Sequence, residues 1–496
     1  MKLKKVISNL AEPGETLSQR AVRGGFWVFL LRIVQQIFGL ARLVIIARIL
    51  APHDFGLMGI ALLIMATLDT FSQTGFQAAL IHKKENIKSY LDSAWTVLIL
   101  RGFILFAILY LIAPYAATFF NTPEAKPIIQ VIGIAVLLQA FTNIGVIYFQ
   151  KELEFNKQFV YQLAGTLADF VVAVSAVLIL RNVWALVFGL LAGNFTRCVV
   201  SYLIHSYRPH LSFDFGKAKK LFGFGKWILG SSILVFLITQ GDDIFVGKLL
   251  GVTALGFYQM AYIISNMPAT EITRVISQVT FPAYSKIQDN IPKLREAYLK
   301  VLQVTAFLSF PIAGLIFVLA PDFTRIFLGV KWMPMVSAMQ VLVWWGVIRS
   351  MAGVNSSILQ AVKRPDIITK LSAIKLLILA SLIYPLSIKW GILGTSLAVL
   401  LSAICITPNT FYITICKVLK SKISLFFKAT FIPFASTIFT ILPIAFFISD
   451  NLSLIRFILV AMAGIICYFL VTHILDKILK QRIYYNLKVA ILGVLK

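Results

Sequence analysis

Runs of 20 or more apolar residues recur from residue 26 almost to the end of the chain, separated by short polar turns. A bilayer core of about 30 Å is crossed by about 20 apolar residues in a helix, so this pattern predicts an all-α polytopic membrane protein with about 14 transmembrane helices. The expected spans of the first half are 24–50, 55–81, 91–114, 127–149, 158–180 and 183–205. Those of the second half are 224–250, 256–281, 298–320, 335–361, 367–387, 390–415, 425–448 and 453–475. The polar, basic break between them, SYRPHLSFDFGKAKKLFG, marks a boundary. The expected organisation is an N-terminal bundle of six helices (1–205), a cytoplasmic linker (206–223), a pseudo-symmetric second six-helix bundle (224–415), and two additional C-terminal helices with a basic tail (416–496). No loop is long enough to fold as a soluble domain, so whatever the protein does, it does in or across the membrane.

Composition sharpens this picture. The 496 residues are 59% hydrophobic and 13% charged. With both termini placed inside, the inner segments hold about 31 Lys and Arg and the outer loops about six: Arg48, Lys126, Arg181, Arg325, Lys331 and Lys389. The net charge of +26 is therefore read as a topology signal with attraction to anionic membrane lipids, and no nucleic-acid partner is expected. The first apolar run contains Arg32 and Arg42 and lacks a small-x-small cleavage site, which reads as a retained span. Cys198, Cys405, Cys416 and Cys467 lie in spans or at cytoplasmic ends without metal-ligand spacing, and the five histidines are scattered. Neither a disulfide framework, a metal site nor a cofactor is indicated, and the chain does not read as an enzyme.

Shifting the chain by about 200 residues lays GFWVFLLRIVQQIFGLARLVIIARILAPHDFGLMGIA, from residue 25, on GKWILGSSILVFLITQGDDIFVGKLLGVTALGFYQMA, from residue 225. Gly25, Trp27, Leu50, Gly56 and Ala61 meet identical residues at 225, 227, 250, 256 and 261, and Arg48 meets Lys248. Both copies begin a half and run outward, which is the signature of parallel repeats about an axis along the membrane normal. In this alignment Asp242 falls opposite Arg42.

The polar residues inside the spans are ordered. Arg32, Gln35, Gln36, Gly39 and Arg42 fall within about 120° on a helix, and Ser232, Thr239, Asp242 and Asp243 share one face of the seventh span. Asp69, Thr70, Gln73 and Gln77 group on the second, and Asn266, Thr270, Thr273, Arg274 and Ser277 on the eighth. Charge at the bilayer centre costs at least about 2.5 to 3.5 kcal/mol, so such stripes face water or one another and not lipid. Arg32, Arg42 and Arg274 are the candidate cavity cations for an anionic substrate. Gln35, Gln36, Asp69 and Asn266 are the candidate polar lining, and Asp242 and Asp243 candidates for a gate or for ion coupling. Arg101, Arg197 and Arg349 are equally well explained by packing against Asp69 or Asp169.

ARILAPHDFGLMGIALL (47–63), after RGGFW (23–27), resembles the first-helix boundary of bacterial polysaccharide exporters. These are Wzx-like lipid-linked oligosaccharide flippases of the multidrug/oligosaccharidyl-lipid/polysaccharide superfamily, in the branch of colanic acid and teichuronic acid exporters. Ala47, Arg48, Leu50, Pro52, Asp54, Phe55 and Gly56 carry the match. The resemblance implies two six-helix bundles with two further helices, in the bacterial cytoplasmic (inner) membrane, alternating between inward- and outward-facing states. It implies an undecaprenyl-pyrophosphate-linked glycan as substrate, with a polysaccharide polymerase and a chain-length regulator as further expected partners. Two rivals stay open: a cation-coupled drug antiporter of the same superfamily, and a membrane glycosyltransferase or polymerase using the Asp242–Asp243 pair to hold Mg²⁺.

Overall fold

Hydropathy and punctuation become helix in the expected order. The computed structural model describes residues 17–72, 87–212, 214–447 and 452–479, without the side chains of 17–23, 88–89, 215–231, 275, 278, 279 and 447. Among these residues there is no strand. The helices are α1 (Leu17–Ile49), α2 (Pro52–Phe71), α3 (Lys88–Phe119), α4 (Ala125–Ala140), α5 (Phe155–Leu180), α6 (Trp184–Ile204), α7 (Phe215–Leu249), α8 (Val252–Lys286), α9 (Ile291–Phe323), α10 (Val336–Ala361), α11 (Pro365–Tyr412), α12 (Ser424–Phe447) and α13 (Leu454–Leu479). Residue Gly391, at φ +58°, breaks α11 into two legs, so the expected spans 367–387 and 390–415 are both present, joined with almost no loop. Ten helical stretches among the described residues are long and apolar enough to cross a bilayer. Their lipid-ready flanks are plain: Leu111 is 68% exposed, Ile179 80% and Phe446 83%. The all-α polytopic class is what the structure has.

By compactness the chain falls into two units, Met1–Gln240 with Gly251–Gly256, and Gly241–Leu250 with Phe257–Lys496. In the first, α5 packs against α1 and α6, α4 against α3, α6 and α2, and α2 against α3. The loops of this unit gather at its two ends. At one end Asp54, third residue of α2, reaches back to the backbone N–H of Ala51 (3.0 Å) and takes the N–H of Val183 at the head of α6 (3.1 Å). A carboxylate in the first turn also suits the helix dipole, so Asp54 starts α2 and ties two loops together. Gly56, two residues on, lies so close to the Val252 carbonyl that an added Cβ would sit 1.8 Å from its oxygen, and Gly256 meets the Pro52 carbonyl at 1.9 Å in the same way. The offset of 200 pairs Gly56 with Gly256 and Pro52 with Val252. The contact is therefore reciprocal, as a repeat would make it, and all four residues belong to the first unit.

At the other end the structure departs from expectation twice. The span expected at 127–149 stops as α4 at Ala140, and a short helical stretch, Ile144–Lys151, leaves at 67° to it. Asn143 causes the break. Its side chain takes the N–H of Gly145 (2.8 Å) and gives a proton to the Tyr207 carbonyl (2.7 Å), while its own N–H goes to Ser201 Oγ (2.9 Å). These bonds outcompete one more helical turn. The expected linker 206–223 is already helical from Phe215, where α7 begins. His210, Ser212 and Asp214 lie along the first turns of α3, held by Asp92, Thr96 and Ser93.

The second unit is built on α9, which packs against α10, α12 and α13. Asn290 caps α9 by accepting from the N–H of Lys293, and Pro292 pre-sets its first turn. Tyr284, Leu302, Phe310, Val347, Ile358 and Phe411 are among the residues of its buried core.

Candidate functional site

Within the first unit the intramembrane polar residues collect where α1 meets α5, with α6 behind. Arg42 Nη2 lies 3.1 Å from Asp169 Oδ1, and each side chain is 26% exposed. Arg197 of α6 lies against Gly165, where an added Cβ would sit 2.4 Å from its Cγ. Gly189 and Gly193 leave room for Asp169 in the same manner. Three glycines thus admit a carboxylate with two guanidiniums around it. The arrangement is electrostatically unfinished. The Arg42–Asp169 contact is an ion pair without hydrogen-bond alignment, and Arg42 Nε and Arg197 Nε are buried with no acceptor. One turn and more below, Gln35 gives a long hydrogen bond of 3.5 Å to Thr166. Gln36 is half-buried. Arg32, lower on α1, is exposed and forms no ion pair among the described residues.

Other expected lining residues are bound elsewhere. Asp69, at the end of α2, is paired with Arg101 at 2.5 Å, and Arg101 also donates to the carbonyls of Asp69 (3.0 Å) and Ser72 (2.9 Å). Arg101 is thus a C-terminal cap for α2 made from another helix. Gln73 and Gln77 lie outside the described residues.

In the second unit Asp242 is 2% exposed and accepts the Tyr258 hydroxyl at 2.6 Å. Asp243 points to Gln259, and its backbone N–H is 3.1 Å from Asp242 Oδ1. Tyr258, Tyr262 and Trp345 form a run of rings, and Arg349 and Lys375 both lie over Trp345, at 5.3 and 5.5 Å from ring centroids. Lys375 is the cation whose field Asp242 feels. The two carboxylates and the two cations thus share a cluster of aromatic rings. Asn266 is buried, its Nδ2 given to the Tyr262 carbonyl and its Oδ1 without a donor. Arg274 spends itself on Glu271, one turn back on α8, at 3.0 Å.

Arg197, Lys375 and Arg349 complete these clusters, and the periodicity of their own helices does not single them out. The signal that was available is their charge within an apolar run.

The model of the family described as "Polysaccharide biosynthesis protein" matches residues 45–337, more than half of the chain. The chain belongs to that family. The chain is similar to the lipopolysaccharide biosynthesis protein WzxC of Escherichia coli, 27% identical over 425 residues covering 84% of this chain and 86% of that one. The teichuronic acid biosynthesis protein TuaB of Bacillus subtilis is 28% identical over 296 residues, 59% of this chain and 61% of that one. Among solved structures, the lipid II flippase MurJ in an inward closed conformation has a TM-score of 0.72, at 16% identity over 91% of this chain and 99% of that one. At that identity the likeness is one of fold. The resemblance to Wzx-like exporters drawn from residues 47–63 is borne out. In this chain the Asp54 and Gly56 of that motif are structural: one caps and ties, the other permits a close backbone approach.

Proposed function

We propose that the protein is a flippase that moves an undecaprenyl-pyrophosphate-linked oligosaccharide repeat unit across the bacterial cytoplasmic membrane by alternating access. On this reading both termini are cytoplasmic, residues 1–205 and 224–415 are the working bundles joined by 206–223, and 416–496 are an addition to them. A polysaccharide polymerase and a chain-length regulator would act on the unit it delivers. The observation that carries the reading is the pair of guanidiniums around Asp169. A pyrophosphate oxygen supplies the acceptors that Arg42 Nε and Arg197 Nε lack, and a guanidinium donates to two such oxygens in parallel. Arg32, exposed on the same stripe of α1, extends the cationic track. The lipid tail stays in hydrocarbon while the headgroup passes, and no covalent bond changes. On this reading Asp242, buried in the second unit, and Asp243 next to it serve as a gate or as the ion-coupling group.

The test is glycan export in a strain that depends on this chain. Arg42→Ala or Arg197→Ala lowers surface glycan at least about tenfold, about 1.4 kcal/mol in transport free energy, with membrane abundance unchanged. Arg42→Lys restores only part, because an ammonium cannot donate as a fork. Full export by both Ala variants contradicts the reading.

A further inference from the structure

Asp92, Tyr148, His205, Ser206, Arg208 and His210 come from three separate stretches of the chain and line one cavity of about 550 Å³ in the first unit. That volume lies within the range of about 300–1,000 Å³ typical of small-molecule sites. The cavity sits at the end of the unit where His210, Ser212 and Asp214 lie along the first turns of α3, the end assigned to the cytoplasm above.

Its walls are held in place. Asp92 Oδ1 takes the Tyr207 hydroxyl (2.7 Å) and the His210 backbone N–H (2.9 Å). The His205 ring is stacked parallel on Tyr148 at 5.6 Å and rests on Gly145, where an added Cβ would meet Nδ1 at 2.5 Å. His205 Nδ1 accepts the Tyr207 N–H at 3.0 Å, so the ring proton is on Nε2. Burial and Lys157 hold this imidazole below its usual range, which keeps it neutral near pH 7. Arg208 is turned by the carbonyls of His205 (2.6 Å) and Tyr207 (3.0 Å), both through Nη1.

The groups left open are chemically mixed. Asp92 Oδ2 can only accept, His205 Nε2–H and the rest of the Arg208 fork can only donate, and the hydroxyls of Tyr148 and Ser206 do both. Asp92 and Arg208 cancel in charge. A phosphate would meet a carboxylate oxygen here, whereas vicinal sugar hydroxyls each donate and accept. We infer that this cavity is a binding site for neutral sugar hydroxyls, and that it recognises the glycan of the substrate on the cytoplasmic side before translocation. The assignment to loading rests on the flippase reading above; the affinity for sugar does not.

The probe is a set of oligosaccharides of two to four sugars, released by mild acid from the host's own surface polysaccharide, with inorganic phosphate as the anionic arm. Binding to the full-length purified protein is followed by saturation-transfer-difference NMR. Asp92→Asn keeps an acceptor for Tyr207 and His210 but turns the open oxygen into a donor, and Tyr148→Phe keeps the stack but removes the hydroxyl. Each weakens sugar binding at least tenfold, and phosphate does not compete. Absence of sugar binding, sugar binding unchanged in both variants, or phosphate binding that Asp92→Asn strengthens overturns the site. Failure of this binding with Arg42-dependent export intact removes the site alone, and sugar binding with Arg42-independent export removes the flippase reading alone.

Discussion

Asp169 and His205 show how a side chain's role is set by what packs on it. Asp169 was visible in the sequence as a charge in an apolar span, and its partners were not, because Arg42 lies 127 positions earlier and the choice depends on three glycines that let the groups approach. Asp69 illustrates the reverse: its stripe suggested a cavity, and Arg101 claims it as part of a helix cap. His205 had no partner at a telling interval, yet it joins Asp92 and Tyr148 across more than 50 residues because the chain turns back over α3. Its depressed pKa has a consequence for stability. Below the ordinary histidine value of 6.5 the unfolded chain takes up a proton that the folded ring resists, so folded stability is held above that pH and lost as pH falls. Protonation also places a proton on Nδ1 against the Tyr207 N–H. The thermal midpoint of the purified protein is expected to fall between pH 7.5 and 5.5, and to fall less in His205→Asn, which keeps an acceptor but cannot titrate. Equal slopes in the two proteins count against this arrangement.

At the scale of elements, hydropathy made the helices legible and packing decided their ends. The break after α4 escaped because the Asn143 that makes it draws on Ser201 and Tyr207, which belong to α6 and the linker. The fusion of the two legs of α11 at Gly391 escaped because a single residue at φ +58° replaces a loop. The glycines themselves separate into those that packing needs and those it does not. A Cβ at Gly56 meets a carbonyl oxygen at 1.8 Å, whereas one at Gly39 meets nothing within 4 Å. Gly56→Ala is expected to destabilise by about 1–3 kcal/mol or more through overpacking. Gly39→Ala is expected to be neutral or to stabilise by up to about 1 kcal/mol, since it removes a glycine from a helix. Thermal unfolding of both variants in the same detergent decides it, and equal midpoints contradict the close crossing.

For the whole molecule, the family and the all-α class were within reach of the sequence, because apolar runs, basic loops and the motif at 47–63 each survive in one dimension. The polar clusters of the two units were only half legible, each needing helices far apart in the chain. They differ in charge: two guanidiniums about one carboxylate in the first unit, two carboxylates with two cations in the second. The most direct test is transfer of an undecaprenyl-pyrophosphate oligosaccharide in proteoliposomes, read as glycan that becomes open to an added glycosidase. Transfer well above that of protein-free vesicles is expected, and its loss when Arg42 and Arg197 are both replaced by Ala. Transfer no faster than in empty vesicles, or undiminished in the double variant, would contradict the flippase reading.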